Sequence, residues 1–119
     1  MPLKVLSIED DPMITDFLDV LLTIYGMQVL VANDGPTGIE LARTEKPDVI
    51  LLDLMMPVMD GWEVCRIIRS FSRVPIIVVS AVSGEEKIGR AMAAGANAFL
   101  EKPITNQALV SLIQKITKT

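Results

Sequence analysis

The feature that most constrains this chain is the run Val49-Ile50-Leu51-Leu52, which passes without interruption into Asp53. Four consecutive apolar residues suit a strand buried on both faces, the central position of a parallel sheet. An acid at the end of such a strand is costly unless something compensates its charge. Pro57 and Asp60-Gly61 then punctuate a turn before a helical pattern begins. Asp53 therefore falls just outside the carboxyl end of a central strand, where open parallel sheets bind their ligands. A lone acid in such a place is most often a turn residue or a helix cap; the remaining stretches decide against that reading here.

Residues 3–8 read as a first strand, ended by Glu9-Asp10-Asp11. Pro12 suits the first turn of a helix with Asp11 as its N-cap. Met13, Ile14, Phe17, Leu18, Leu21, Leu22 and Tyr25 keep helical spacing, and Gly26 stops the helix. Residues 27–32 form a second strand, Asn33-Asp34-Gly35 a turn, and Ile39, Leu41 and Ala42 mark a short helix. After the third strand, residues 62–70 form a helix with Val64, Cys65, Ile67 and Ile68 inward. Residues 75–80 are a Val/Ile-rich strand, and 85–94 a weaker helix interrupted by Gly89. Residues 98–101 are a short fifth strand broken by Lys102-Pro103, and 107–117 a last helix with Leu109, Leu112, Ile113 and Ile116 inward.

Five strands alternating with five helices predict an α/β fold: a (βα)5 three-layer sandwich around a parallel five-stranded sheet. Right-handed crossovers leave few topologies. In the flavodoxin-like order 2-1-3-4-5, strands 1 and 3 are neighbours at the switch point. Glu9, Asp10 and Asp53 then share one edge of the sheet, and Ser80 and Lys102, which end strands 4 and 5, point at it too.

Composition narrows the classes. The 119 residues read as one domain over 1–119; half are hydrophobic and 22% charged, which is a globular balance. Aromatics are 4%, so the core must be aliphatic. The net charge is -4 with no basic run, which argues against direct nucleic-acid binding by this segment. The single Cys65 excludes an intramolecular disulfide, reads as a small buried hydrophobe, and fits a reducing cytoplasm. No apolar run approaches a membrane span, and the short N-terminal one does not read as a signal peptide. The absence of histidine removes His-based catalysis, His metal sites and any phosphohistidine within the chain.

Three clustered carboxylates cannot all stay ionised in a cleft without a cation. An all-oxygen donor set selects Mg²⁺, or Mn²⁺. A carboxylate can itself be the nucleophile in phosphoryl transfer, giving an aspartyl phosphate. The transferring group then needs counter-charge, for which Lys102 offers an ammonium and Ser80 a hydroxyl.

With those residues in view, the chain resembles the receiver domain of two-component response regulators. The resemblance rests on Glu9-Asp10-Asp11, Asp53-x-x-Met56-Pro57-x-x-Asp60-Gly61, Ser80-Ala81 and Lys102-Pro103, in order and across essentially the whole chain. It implies that Asp53 is the phosphoacceptor, that Asp10 ligates Mg²⁺ directly and Glu9 through water, and that the Met55 backbone carbonyl is a further ligand. It implies Ser80 as switch hydroxyl, Phe99 as switch aromatic, and Lys102 as the active-site lysine with a cis bond to Pro103. The implied donor is a histidine kinase or histidine phosphotransfer protein. The implied reader is a downstream protein or output domain, responding at the face of helix 4, strand 5 and helix 5. Such a chain catalyses its own phosphorylation but is not a turnover enzyme.

Two departures carry expectations. Met55 and Val82, each two residues beyond a site residue, have no side chain able to hold a water in line with a phosphoryl group, which predicts slow self-dephosphorylation. The stretch from Gly89 to Ala98 has few of the opposite charges typical of dimerising receivers, so an apolar surface there is expected to dock a partner. Among rival classes, a flavin or dinucleotide site would need a loop after strand 1 rich in Gly, Ser or Thr rather than in acids. An aspartate-nucleophile phosphatase would need an acid at position 55. The remaining alternative is a receiver-fold docking module that acts without phosphorylation, in which nothing would require the acids, Ser80 and Lys102 together.

Overall fold

The computed structural model describes residues 2–81 and 84–118. The elements follow the expected alternation: β1 (Lys4–Ile8), α1 (Pro12–Ile24), β2 (Gln28–Ala32), α2 (Gly35–Glu45), β3 (Val49–Leu52), α3 (Gly61–Arg69), β4 (Ile76–Ser80), α4 (Glu85–Ala93), β5 (Ala98–Glu101) and α5 (Asn106–Thr117). All strand pairs are parallel, in the order β2-β1-β3-β4-β5.

The strands' alternation sorts their side chains onto two faces. Leu6, Ile8, Ile50, Leu52, Ile76 and Val78 meet Ile39 and Ala42 of α2, Trp62, Val64, Cys65 and Ile68 of α3, and Ala91 of α4. Val5, Val49, Leu51, Ile77 and Val79 meet Leu18, Leu21 and Leu22 of α1 and Leu109, Val110 and Ile113 of α5. The central strand β3 is buried along its whole length, as its unbroken apolar run requires.

Polar side chains start the helices. Asp11, Asp34, Asp60 and Thr105 each accept a backbone N–H at an N-terminus, of Met13, Thr37, Glu63 and Ala108 respectively. Asp34 thus begins a helix where a plain turn is expected from Asn33-Asp34-Gly35. Its carboxyl is held below the ordinary carboxylate range by the Thr37 N–H. Helix α4 begins at Gly84 without such a bond and buries only Ala91.

Only part of the apolar set of α1 faces the core. Met13, Phe17 and Tyr25 are exposed, while Thr15 is buried with Leu18, Leu21 and Leu22. Helix α1 is apolar on two sides, so its spacing does not say which side meets the sheet.

A further support joins α3 to the turn before β5. Arg69 donates through Nε to the Gly95 carbonyl at 2.9 Å, through Nη1 to the Ser72 carbonyl at 3.3 Å, and through Nη2 to Asn97 Oδ1 at 2.7 Å. Asn97 Oδ1 also accepts the Ile76 N–H at 2.9 Å, so one guanidinium braces the start of both β4 and β5. Arg69→Ala is expected to cost about 2 kcal/mol, because it strands partners of a charged donor in a partly buried place. Urea unfolding measures this; a loss below about 0.5 kcal/mol, the range of ordinary surface substitutions, would contradict it.

Candidate functional site

The edge at the carboxyl ends of β1, β3 and β5 gathers four charged side chains. Glu9 follows β1 and Asp53 follows β3; both are nearly buried, at 5% and 7% exposure. Their register places them side by side, since Ile8 pairs with Leu52. One carboxylate oxygen each from Glu9, Asp10 and Asp53 lies within 4.8 Å of the others. Lys102, just past β5, donates to Glu9 Oε1 at 2.8 Å and stands 3.9 Å from Asp53 Oδ2. The bond from Lys102 to Pro103 is cis.

The electrostatics are strained toward the negative. Three carboxylates face one ammonium, which leaves two negative charges uncompensated in a recess. The Asp10 carboxyl is raised above its ordinary value, first by its hydrogen bond to the Glu9 side chain, then by burial and the charges of Glu9 and Asp11. Asp11 serves instead as the cap of α1: its Oδ1 accepts the Met13 N–H at 2.9 Å.

Other expected residues occupy distinct places. Ser80 is fully buried at the end of β4. Phe99 is half-buried on β5, beside Val78, and packs against the core under α2, α3 and α4. The Met55 side chain points to solvent, at 58% exposure, while its N–H lies 3.5 Å from Asp53 Oδ1. Val82 lies outside the described residues. Cys65 is a buried hydrophobe as expected, and burial pushes its thiol up.

Several features of the site carry no local signal in the chain. Gly61 lies so close to the loop after β3 that a Cβ there would meet the Asp53 carbonyl oxygen. Trp62 is buried, with its indole N–H unpartnered among the described residues and the Arg90 guanidinium 4.2 Å above its ring. The exposed large apolar side chains concentrate on α1 (Met13, Phe17, Val20, Ile24 and Tyr25 at its end), with only Met92 on α4. Of the apolar surface expected on the stretch from Gly89 to Ala98, only Met92 is a large exposed apolar side chain among the described residues, and most such side chains lie on α1.

A doubly wound parallel sheet with an acidic recess at its β1–β3 switch point, closed by one lysine, defines a flavodoxin-like α/β domain whose site lacks a glycine-rich nucleotide loop. Comparison with known proteins gives it a family. The family model described as the response regulator receiver domain matches residues 5–114. The transcriptional regulatory protein AfsQ1 of Streptomyces coelicolor is 36% identical over 115 residues, 97% of this chain and 51% of that protein. The receiver domain of Francisella response regulator 1452 superposes with a TM-score of 0.91 at 30% identity, covering 97% of this chain and 96% of that one. The receiver domain of the sensor histidine kinase PA1611 of Pseudomonas aeruginosa, described with a magnesium ion in its active-site cleft, superposes at 0.91 with 29% identity over the whole of both chains.

This chain belongs to the response regulator receiver domain family of two-component signalling. It spans about half the length of the curated transcriptional regulators it matches, such as AfsQ1 and MtrA. No helix among the described residues is long and apolar enough to cross a membrane.

Proposed function

We propose that Asp53 accepts a phosphoryl group from a phosphohistidine on a histidine kinase or histidine phosphotransfer protein, with Mg²⁺ bound beside it. The observation that carries this reading is the recess of Glu9, Asp10 and Asp53 with Lys102 as its one cation among the described residues. Its donors are all oxygens and its two uncompensated negative charges match the charge of a divalent cation, so the residues fit Mg²⁺, with Mn²⁺ as a substitute. Asp10, Asp53 and the Met55 carbonyl would hold the ion directly and Glu9 through water. Bound there, the ion supplies positive charge to the phosphoryl oxygens.

The chain's own atoms do the rest. An Asp53 carboxylate oxygen attacks phosphorus; an O–P bond forms as the donor's N–P bond breaks. The imidazole leaves with the bonding electron pair and takes up a proton. No histidine is needed in this chain, because a carboxylate nucleophile requires no base to activate it. Lys102 moves its ammonium from the acids to the phosphoryl oxygens, and the Ser80 hydroxyl closes on the same group. Phe99 turns inward into the space Ser80 leaves, and the α4–β5–α5 face changes its affinity for a downstream protein or output domain. Weak anchoring of α4 supports this, since a helix that buries one residue is cheap to shift.

The surface beside the phosphoacceptor suits a protein donor. Ile14, Phe17, Val79, Ala81, Pro103 and Ile104 line a largely apolar cleft of about 440 Å³, and Lys102 borders both it and the recess. Incubation with acetyl phosphate and Mg²⁺, followed by intact-mass measurement, is expected to add one phosphoryl group; without Mg²⁺ it adds none. A wild type that gains nothing from acetyl phosphate or from a phosphohistidine protein would favour the docking module instead. Phe17→Asp is expected to slow transfer from a phosphohistidine protein by roughly tenfold, the effect of one modest anchor residue. Its labelling by acetyl phosphate should match wild type; equal slowing with both donors would count against docking at this cleft.

A further inference from the structure

We infer that Asn33 and Thr15 are positioning residues for the metal-binding acids, acting as a bracket across the Glu9–Pro12 turn. The inference rests on the Mg²⁺ reading above. Asn33 Nδ2 donates to the Glu9 carbonyl at 2.9 Å and to Thr15 Oγ1 at 3.1 Å. Thr15 Oγ1 in turn donates to the Pro12 carbonyl at 3.1 Å. The two carbonyls lie at the two ends of the acidic turn, so this side-chain pair ties entry to exit.

The Glu9 carbonyl belongs to the peptide unit that joins Glu9 to Asp10. A hydrogen bond to it fixes the plane of that unit, and with it the direction in which the Asp10 side chain leaves the backbone. Glu9 is held at its other polar atoms as well. Its N–H donates to the Ala32 carbonyl at 3.0 Å, Lys102 donates to Oε1 at 2.8 Å, and the Asp11 N–H reaches Oε2 at 3.3 Å. Asn33 completes this set from the end of β2, on the far side of β1 from Asp53.

Such a bracket has a purpose that packing alone does not supply. Three consecutive acids repel one another and push the turn open, and the push is strongest when no cation is bound. Thr15 is buried, yet its hydroxyl serves only this network among the described residues. Asn33 is exposed and contributes nothing to the core. Partners that orient ligands in this way govern metal affinity by about 10- to 100-fold.

The test is Mg²⁺ titration by calorimetry on wild type, Asn33→Ala, Thr15→Val and Thr15→Ser, with melting of each metal-free protein alongside. The dissociation constant is expected to rise about tenfold in Asn33→Ala and in Thr15→Val. Thr15→Ser keeps the hydroxyl and should bind as wild type does. Asn33→Ala truncates an exposed side chain, so the test survives if Thr15→Val fails to fold. Binding within twofold of wild type in Asn33→Ala would overturn the inference, even if metal-free melting fell. A wild type that binds no Mg²⁺ would overturn the metal reading and this inference with it, which separates the two failures.

Discussion

Asp53→Asn is expected to abolish the gain of one phosphoryl group that acetyl phosphate and Mg²⁺ produce in the wild type, while leaving the chain folded. The carboxamide has nearly the shape of the carboxylate but is neutral and a poor nucleophile, so the O–P bond cannot form. Folding should survive because Asp53 is one of three acids sharing one ammonium. Removing one negative charge relieves repulsion in the recess, so the metal-free melting temperature should hold or rise. Intact mass and thermal melting on the same sample separate the two effects. The phosphoryl mimic beryllofluoride gives a second readout: it should shift backbone amides between residues 84 and 106 in the wild type and leave them in place in Asp53→Asn. Full labelling of the variant would place the acceptor elsewhere and sink the proposed reaction.

Gly61→Ala is expected to destabilise the domain by about 3 kcal/mol, at the upper end of ordinary overpacking. A Cβ at position 61 would lie on the Asp53 carbonyl oxygen and 2.7 Å from the Leu54 Cα. Both are backbone atoms, so no change of rotamer makes room. The Gly61 N–H also donates to the Leu54 carbonyl at 2.8 Å, tying the start of α3 to the loop that carries the phosphoacceptor. Relief of the clash must therefore move Asp53, and phosphorylation should slow along with the loss of stability. Gly89→Ala is the control: a Cβ at position 89 would meet no heavy atom within 4 Å, and replacing glycine inside α4 should stabilise by up to about 1 kcal/mol. Urea unfolding of both variants decides the matter, and a Gly61→Ala variant as stable as wild type would show that the loop yields freely.

Much of the fold was legible because its signals are local. The apolar run of β3 needs burial on both faces and therefore a central place in the sheet. The cap Asp11 marks a helix start through a bond to a residue two positions away, and Asp60-Gly61 marks the turn from which α3 begins. The acids could be gathered on paper because a parallel sheet puts all its strand ends on one edge. Glu9, Asp10, Asp53 and Lys102 do meet there.

The alternation of elements, the aliphatic core and the charged strand ends could all be read from the residues in order, since each follows from neighbours a few positions apart. The buried side of α1 could not, because Met13 and Phe17 keep the same helical period as Leu18 and Leu22 and the sheet can cover only one side. Three contacts likewise emerged only from the folded chain. Gly61 touches the backbone at Asp53, Arg69 braces the turn at Gly95–Asn97, and Asn33 reaches the Glu9 peptide 24 positions away. Those contacts join residues distant in the chain. Their energies depend on where two elements come to lie in space, which no local pattern of residues records.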